Sequence, residues 1–203
     1  MTFPEEATPP DLRRQVLELQ AEAWPDDGTS GKPVAEIEPT HDPALRPLSM
    51  LLVDDGAVVA ALDILSKELV HAGERYRAGG LSTVVTRRTS QRQGHGHRLV
   101  RAARSVMAGD LDTDMAGAPA ASFDLGLFTC DTPLQAFYES AGWQRLPGAV
   151  LVGGTPAAPF PSDQPGFDKV TMAAFFSDHG RRGRASFEES RIELFPGEID
   201  KLW

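Results

Sequence analysis

The sequence predicts a mixed α/β (α+β) domain with a mostly antiparallel sheet and a central parallel β-α-β crossover. Three observations predict it. From Ser49 the chain becomes a succession of short β-type runs separated by turn signals. An amphipathic helical stripe then lies between two apolar strands, the pattern of a crossover connection. Finally, 203 residues with 41% hydrophobic and 24% charged content suit one globular domain, and exclude a disordered tail, a collagen or a coiled coil. With no internal repeat and no long linker, the expectation is one domain over residues 1–203, with a core at 48–175, a helix plus long loop at 1–47 and a C-terminal tail at 176–203.

Leu12, Val16, Leu19 and Ala23 recur at helical spacing after Pro9-Pro10, predicting a helix from Asp11 to Trp24 that Pro25 ends. Thr2 to Pro10 shows no strand pattern. Residues 25–47 carry repeated prolines and glycines among acids, so they read as a long loop, with room for a short helix. Loops of that length in a compact domain are often functional. Met50 to Val53 is a strand, Asp54-Asp55-Gly56 a hairpin turn, and Ala57 to Leu69 the returning strand. After a reversal at Gly73-Glu74, Tyr76 to Thr86 completes an antiparallel meander ending in β-branched residues.

Leu99, Val100, Ala103 and Val106 mark a helix over Gly96–Met107, followed by an exposed loop at Gly109–Pro119. Phe123 to Phe128 is the next strand. It should lie parallel to the third, because a helix intervenes. Asp131-Thr132-Pro133 opens a short helix with a capping acid and an early proline, closed by Gly142 before Trp143. Val150–Val152 and Val170–Ala173 are late strands around a Pro-rich loop, and Arg181-Arg182-Gly183-Arg184 reads as solvated loop.

Lys plus Arg total 20 against 29 acids, a net charge of -9 that argues against a nucleic-acid surface and suits a cationic small molecule. The single cysteine, Cys130, cannot form an internal disulfide and reads as buried and inert. The acidic N-terminus lacks a secretory pattern and no apolar run approaches a membrane span, so the expectation is a cytoplasmic protein without a membrane partner.

The most informative stretch is Thr86 to Leu99 (TRRTSQRQGHGHRL), which joins a strand to a helix through a basic, glycine-containing turn. Backbone N–H groups and the positive helix end converge there, which suits a pyrophosphate. No Lys follows the glycines as a P-loop requires. Leu99 stands where a dinucleotide fingerprint needs a small residue, and an antiparallel meander precedes the turn. His95-Gly96-His97 has no third ligand at metal spacing.

The spacing Gln91-x-x-Gly94-x-Gly96 resembles the coenzyme A signature of the GCN5-related N-acetyltransferase (GNAT) superfamily. Phe123 to Trp143 resembles that superfamily's next segment, a strand and a short helix whose tyrosine precedes Gly-Trp. Within the superfamily the chain is most similar to aminoglycoside 2′-N-acetyltransferases. That similarity rests on the hairpin at Gly56, on Tyr76, Arg77 and Gly79, on Tyr138 to Trp143, on Pro147-Gly148, and on Gly197, Asp200 and Trp203.

The resemblance implies acetyl-CoA as cofactor, a primary amine of a small molecule as partner, and direct transfer in a ternary complex. Val84, Val85 and Thr86 are then expected to pair with the pantetheine arm. The stretch Gln91, Arg92, Gln93, Gly94, His95, Gly96 and His97 is expected to hold the pyrophosphate. The two parallel strands should splay beyond Val85, and Tyr138 is the candidate general acid. Ser82 stands where the similar enzymes carry a glutamate, so the general base is expected outside that strand, with Asp42, Asp124, Asp163 and Asp200 as the carboxylates to consider. An acceptor pocket is expected from Asp42, Ser82, Thr129, Asp163, Asp200 and Trp203. The missing glutamate keeps a second reading open, a non-catalytic acyl-CoA sensor of the same fold. A homodimer is compatible with all of this.

Overall fold

Two tight turns set the register of the sheet. In the computed structural model, which describes residues 1–25, 40–110 and 123–195, Asp55 and Gly56 both adopt positive φ, as do Ala72 and Gly73. Two successive left-handed residues make the turn whose twist matches flanking antiparallel strands. These turns join β2 (Leu48–Asp54), β3 (Ala57–His71) and β4 (Glu74–Thr86) into the expected meander. Ahead of it lies β1 (Thr2–Pro4), antiparallel to β2 through Phe3↔Ser49. This corrects the expectation of no strand before Pro10. The strand is three residues long, and its one proline, Pro4, which has no N–H to give the ladder, suits its place at the sheet edge. Helix α1 (Pro10–Ala23) follows.

The crossover makes the expected parallel connection. Helix α2 (His95–Ala108) carries the chain from β4 to β5 (Leu125–Asp131), and the two strands run parallel. They are paired only at Ala78↔Leu125 and Gly79↔Gly126. Splaying therefore begins just after Gly79, well before Val85, where the sequence had placed it. A cause is visible in β4. Between the pairs Ala61↔Val85 and Asp63↔Ser82 the register slips by one residue on β4. Thr83 takes up the extra residue at φ 49°. A β-bulge of this kind bends its strand and re-aims a side chain. The root of the divergence is crowded: a Cβ on Gly126 would lie 2.7 Å from the Trp143 ring, and one on Gly79 2.7 Å from Met107.

Beyond β5 come α3 (Gln135–Ser140), β6 (Gln144–Arg145), β7 (Val150–Thr155), β8 (Ala158–Pro161), β9 (Lys169–Phe175), α4 (Asp178–Phe187) and β10 (Arg191–Glu193). The main sheet runs β1-β2-β3-β4-β5-β9-β6, and a smaller one β10-β7-β8. The Pro-rich loop thus contains a strand, β8, and the segment expected as a tail contains α4 and β10. Arg181–Arg184 is helical rather than loop. Ser177 caps α4 by accepting from the Gly180 N–H at 2.9 Å, while Arg181 and Arg184 pair with Asp178 and Glu188. Asp131 does not cap the helix after β5; its carboxylate instead pairs with Lys169 of β9 at 2.6 Å.

Strand alternation divides the core between two faces. One face buries Met50, Leu62, Ile64 and Leu81 under Leu99, Val100, Ala103 and Met107 of α2, with Phe128, Tyr138 and Trp143. The other packs Leu51, Val58, Ala61 and Val85 under Val16 and Leu19 of α1. Farther along that face, Leu65, Leu69, Tyr76 and Leu127 meet Leu151, Phe187 and Ile192 of the small sheet and α4. Among the described residues no helix is long and apolar enough to cross a membrane.

Candidate active site in the cleft between the parallel strands

The geometry starts from unused backbone groups. Because β4 loses β5 after Gly79, its edge from Gly80 to Thr86 has no strand on that side among the described residues. Such an edge is a template for an extended partner. The chain then turns through Arg88–Ser90 and enters α2 at Gly94, which sits at φ 83°. The first internal bond of the helix runs from Arg98 N–H to Gly94 C=O, 2.9 Å. The N–H groups of Gly94, His95, Gly96 and His97 have no carbonyl one turn earlier, so they point outward at the positive helix end. Arg92, at φ 61°, helps form that turn. Gly96 cannot be larger without cost: its Cβ would come 2.8 Å from Thr86 Oγ1. The open edge and the helix end lie in sequence along one path, and together they fit an amide-bearing arm ending in a diphosphate.

Side chains in the turn mostly brace it. Gln91 Nε2 donates to Thr86 C=O at 3.2 Å and Gln93 Nε2 to Thr89 C=O at 3.1 Å. The His97 ring meets Ser140 C=O at 3.0 Å, which ties α2 to α3 and turns that ring away from the anion path. Among the described residues no group of His, Cys, Asp and Glu could hold a metal ion.

Between the diverging strands lies a cleft of about 540 Å³. Leu81, Ser82, Thr83 and Val84 form one wall, and Phe128, Thr129, Cys130 and Asp131 the other. Trp24, Leu134, Phe160, Phe167 and Lys169 close the rim, and Tyr138 of α3 also lines it. The Tyr138 ring packs edge-on to Phe128 at 4.9 Å and Phe137 at 5.0 Å. Burial, with Cys130 and Asp131 adding to it, pushes the Tyr138 phenol well above the ordinary tyrosine range. The hydroxyl therefore keeps its proton and can only be a donor of it. Burial also pushes the Cys130 thiol up, to about 11, with Asp131 contributing. A thiol so far from ionising is a poor nucleophile.

Of the residues singled out in the sequence, the cleft unites Ser82, Val84, Thr129 and Tyr138, with Thr86 and the glycine turn continuing from it. Val85 faces away, under α1. Asp42 is not on the cleft wall; it caps a turn by accepting from the Ala44 N–H at 2.8 Å. Asp163 pairs with Arg191 at 3.0 Å, again off the wall. Asp124 is consumed by the Arg77 N–H at 2.8 Å and the Ser177 hydroxyl. Gly197, Asp200 and Trp203, and most of the two long loops, lie outside the described residues.

The structure adds a polar cluster that the sequence reading passed over. Asp63 of β3 is 2% exposed and stands opposite Ser82 across the bulge. It accepts from Ser49 Oγ at 2.5 Å and Thr83 Oγ1 at 2.6 Å, and lies 3.4 Å from His41 Nε2. Burial raises its carboxyl, but the hydrogen bonds from His41, Ser49 and Thr83 and the His41 charge outweigh that and hold it below the usual carboxylate range. The signal in the sequence was an acid flanked by Leu62 and Ile64 in the apolar first part of β3, Ala57 to Leu65.

The GNAT acetyltransferase domain model matches residues 6–145, from the turn after β1 through β6. No curated protein sequence matches the chain. Among solved structures, the chain is similar to Escherichia coli ElaA at 12% identity, covering 85% of this chain and 96% of that one with a TM-score of 0.54. An acyl-CoA N-acyltransferase from Pseudomonas aeruginosa is similar at 16% identity, with coverage of 85% and 96% and a TM-score of 0.51. An aminoglycoside 6′-N-acetyltransferase complexed with coenzyme A is similar at 15% identity, with coverage of 87% and 97% and a TM-score of 0.51. The matched segment holds the open strand edge, the glycine turn at α2, β5 and Tyr138, and on that ground the chain belongs to the GNAT acetyltransferase family, as an N-acetyltransferase that uses acetyl-CoA.

Proposed function

We propose that the protein moves an acetyl group directly from acetyl-CoA to a primary amine of a small molecule, with both bound at once in the cleft. The observation that carries this is the cleft itself: an unpaired β4 edge and a protonated Tyr138 face one space that opens to the glycine turn. Acetyl-CoA, when bound, supplies an activated thioester. The β4 edge from Val84 to Thr86 would hold the pantetheine amides, and the N–H groups from Gly94 to His97 the pyrophosphate. A backbone N–H on that edge would also stabilise negative charge on the reacting carbonyl oxygen. Tyr138 holds a proton at Oη for the departing sulfur. Cys130, kept as a thiol, takes no part as a nucleophile.

The described walls bear on the acceptor. Trp24, Leu134, Phe160 and Phe167 give the rim an apolar and aromatic character, and its carboxylate, Asp131, is already paired with Lys169. An amine on an apolar body fits those walls better than a polycationic aminosugar does. The acidic acceptor pocket expected from the 2′-aminoglycoside resemblance drew on Asp42 and Asp163, which have other partners, and on Asp200 and Trp203. Release of free CoA thiol from acetyl-CoA with 2-phenylethylamine, glucosamine and kanamycin tests both levels. The expected order places 2-phenylethylamine first. Binding of acetyl-CoA without thiol release from any amine would overturn catalysis in favour of a sensor.

A further inference from the structure

An alkylamine reaches an enzyme at neutral pH as an ammonium ion, so one proton must leave before nitrogen can attack. Ser82 has no means of holding that proton. Across the bulge, however, Thr83 lines the cleft and donates its hydroxyl proton to the buried Asp63 carboxylate at 2.6 Å. A hydroxyl whose proton is committed behind the wall presents only lone pairs to the front. It therefore accepts from an N–H group in the cleft, and a carbonyl or phosphate oxygen finds no partner there.

The cluster behind Thr83 is built to stay in place. Asp63 Oδ1 receives Ser49 Oγ, and Oδ2 is shared by Thr83 and His41. The His41 backbone N–H donates to Glu5 at 3.3 Å and its neighbour Thr40 N–H to Glu5 at 2.7 Å, while Glu5 pairs with Arg13 of α1 at 2.7 Å. Glu5, Arg13, His41 and Asp63 are each at most 4% exposed. Thr83 itself is held at a φ of 49°, in a region where a β-branched residue is a genuine outlier. Outliers of that kind collect where the surroundings over-determine a functional position.

We infer that Thr83, Asp63 and His41 form the relay that receives the acceptor's proton, resting on the acetyl-transfer reading above. The ammonium N–H bond breaks and its proton passes to Thr83 Oγ1 as Thr83's own proton passes to Asp63 Oδ2. Asp63, whose carboxylate form Ser49 and His41 favour, carries the proton only while the C–N bond forms and returns it through Thr83 to water in the emptied cleft. The freed lone pair on nitrogen then forms the C–N bond as the C–S bond breaks; Tyr138's proton passes to the sulfur, and the second surplus proton on nitrogen replaces it on Tyr138 Oη. Thr83 is the residue that touches the amine, and Asp63 and His41 are positioning residues that act through it.

The test compares two acceptors, 2-phenylethylamine, which is cationic at pH 7, and aniline, which is already neutral. Thr83→Val keeps the branched shape and removes the hydroxyl; Thr83→Ser restores it. The expected result is a loss on the order of 10²-fold in kcat/KM for Thr83→Val with 2-phenylethylamine, little change with aniline, recovery in Thr83→Ser, and unaltered KM for acetyl-CoA. Equal losses with both amines would reveal a merely structural threonine and overturn the relay, as would full activity of Thr83→Val. Wild-type protein that gains thermal stability from acetyl-CoA yet releases no thiol with either amine would overturn acetyl transfer itself, and the relay with it.

Discussion

Replacing Tyr138 with Phe removes one oxygen and leaves the ring in its contacts with Phe128 and Phe137. The size of the effect follows from the environment. Burial beside Cys130 and Asp131 raises the phenol above the ordinary tyrosine value of about 10, whereas a simple thiol ionises near about 8.5. Full proton transfer to a free thiolate is therefore uphill, and help is limited to the moment when the C–S bond is breaking. That places Tyr138 at the low end of general-acid contributions, about 10²-fold in kcat, or about 2.7 kcal/mol. The assay is the initial rate of CoA thiol release at saturating acetyl-CoA and amine, from pH 6 to 9, beside thermal melts of both proteins. Because the phenol stays protonated through that range, the wild-type profile should show no falling limb assigned to Tyr138, and the variant's loss should be the same at every pH. A variant within a few-fold of wild type in kcat, with an unchanged melting temperature, would refute the assignment of Tyr138 as acid.

Two other outcomes follow from the same site. Gly96→Val puts branched carbon where even a Cβ lies 2.8 Å from Thr86 Oγ1, at the start of α2; the stabilisation of about 2.7 kcal/mol expected for wild type at 100 times Kd should be largely lost at the same acetyl-CoA concentration, as read by the shift in Tm. Cys130 has its thiol raised to about 11, so the thiolate fraction, and with it the rate of alkylation by iodoacetamide followed by mass spectrometry, should climb roughly tenfold per pH unit from 7 to 10; rapid alkylation at pH 7 would show that Cys130 is an activated thiol instead.

The cofactor half of the site was legible in the sequence because its signals are local. Turn glycines, a helix stripe and two apolar strands each declare themselves within a dozen residues, and Gly94 and Gly96 stand where the backbone needs them. The acceptor half was not, since its parts come together only in three dimensions. Phe160 lies on a strand whose two prolines disguise it, and it reaches the rim because β8 pairs with β7. Helix α4 contains Gly180 and Gly183, which argue against a helix in isolation; contacts with Asp124 and Tyr76 leave those positions no room for a side chain. Asp131 looked like a cap by its neighbours Thr132 and Pro133, but Lys169, far along the chain, offers its carboxylate a charged partner. The cluster of Glu5, Arg13, His41 and Asp63 draws each residue from a different stretch of chain, so only the oddity of an acid within the apolar first part of β3 could have announced it.

The slipped register in β4 has a genetic reading. Leu81 and Val85 are four apart in a strand, and by strict alternation they would share a face; instead Leu81 lies under α2 and Val85 under α1. One inserted residue reverses the parity of everything after it. Loss of the Thr83 codon would let β4 resume a regular ladder with β3, keep Leu81 and Val85 on their opposite faces at a spacing of three, and erase the hydroxyl that faces Asp63. The chemistry of this site is thus encoded in the length of the strand as much as in the identity of its residues.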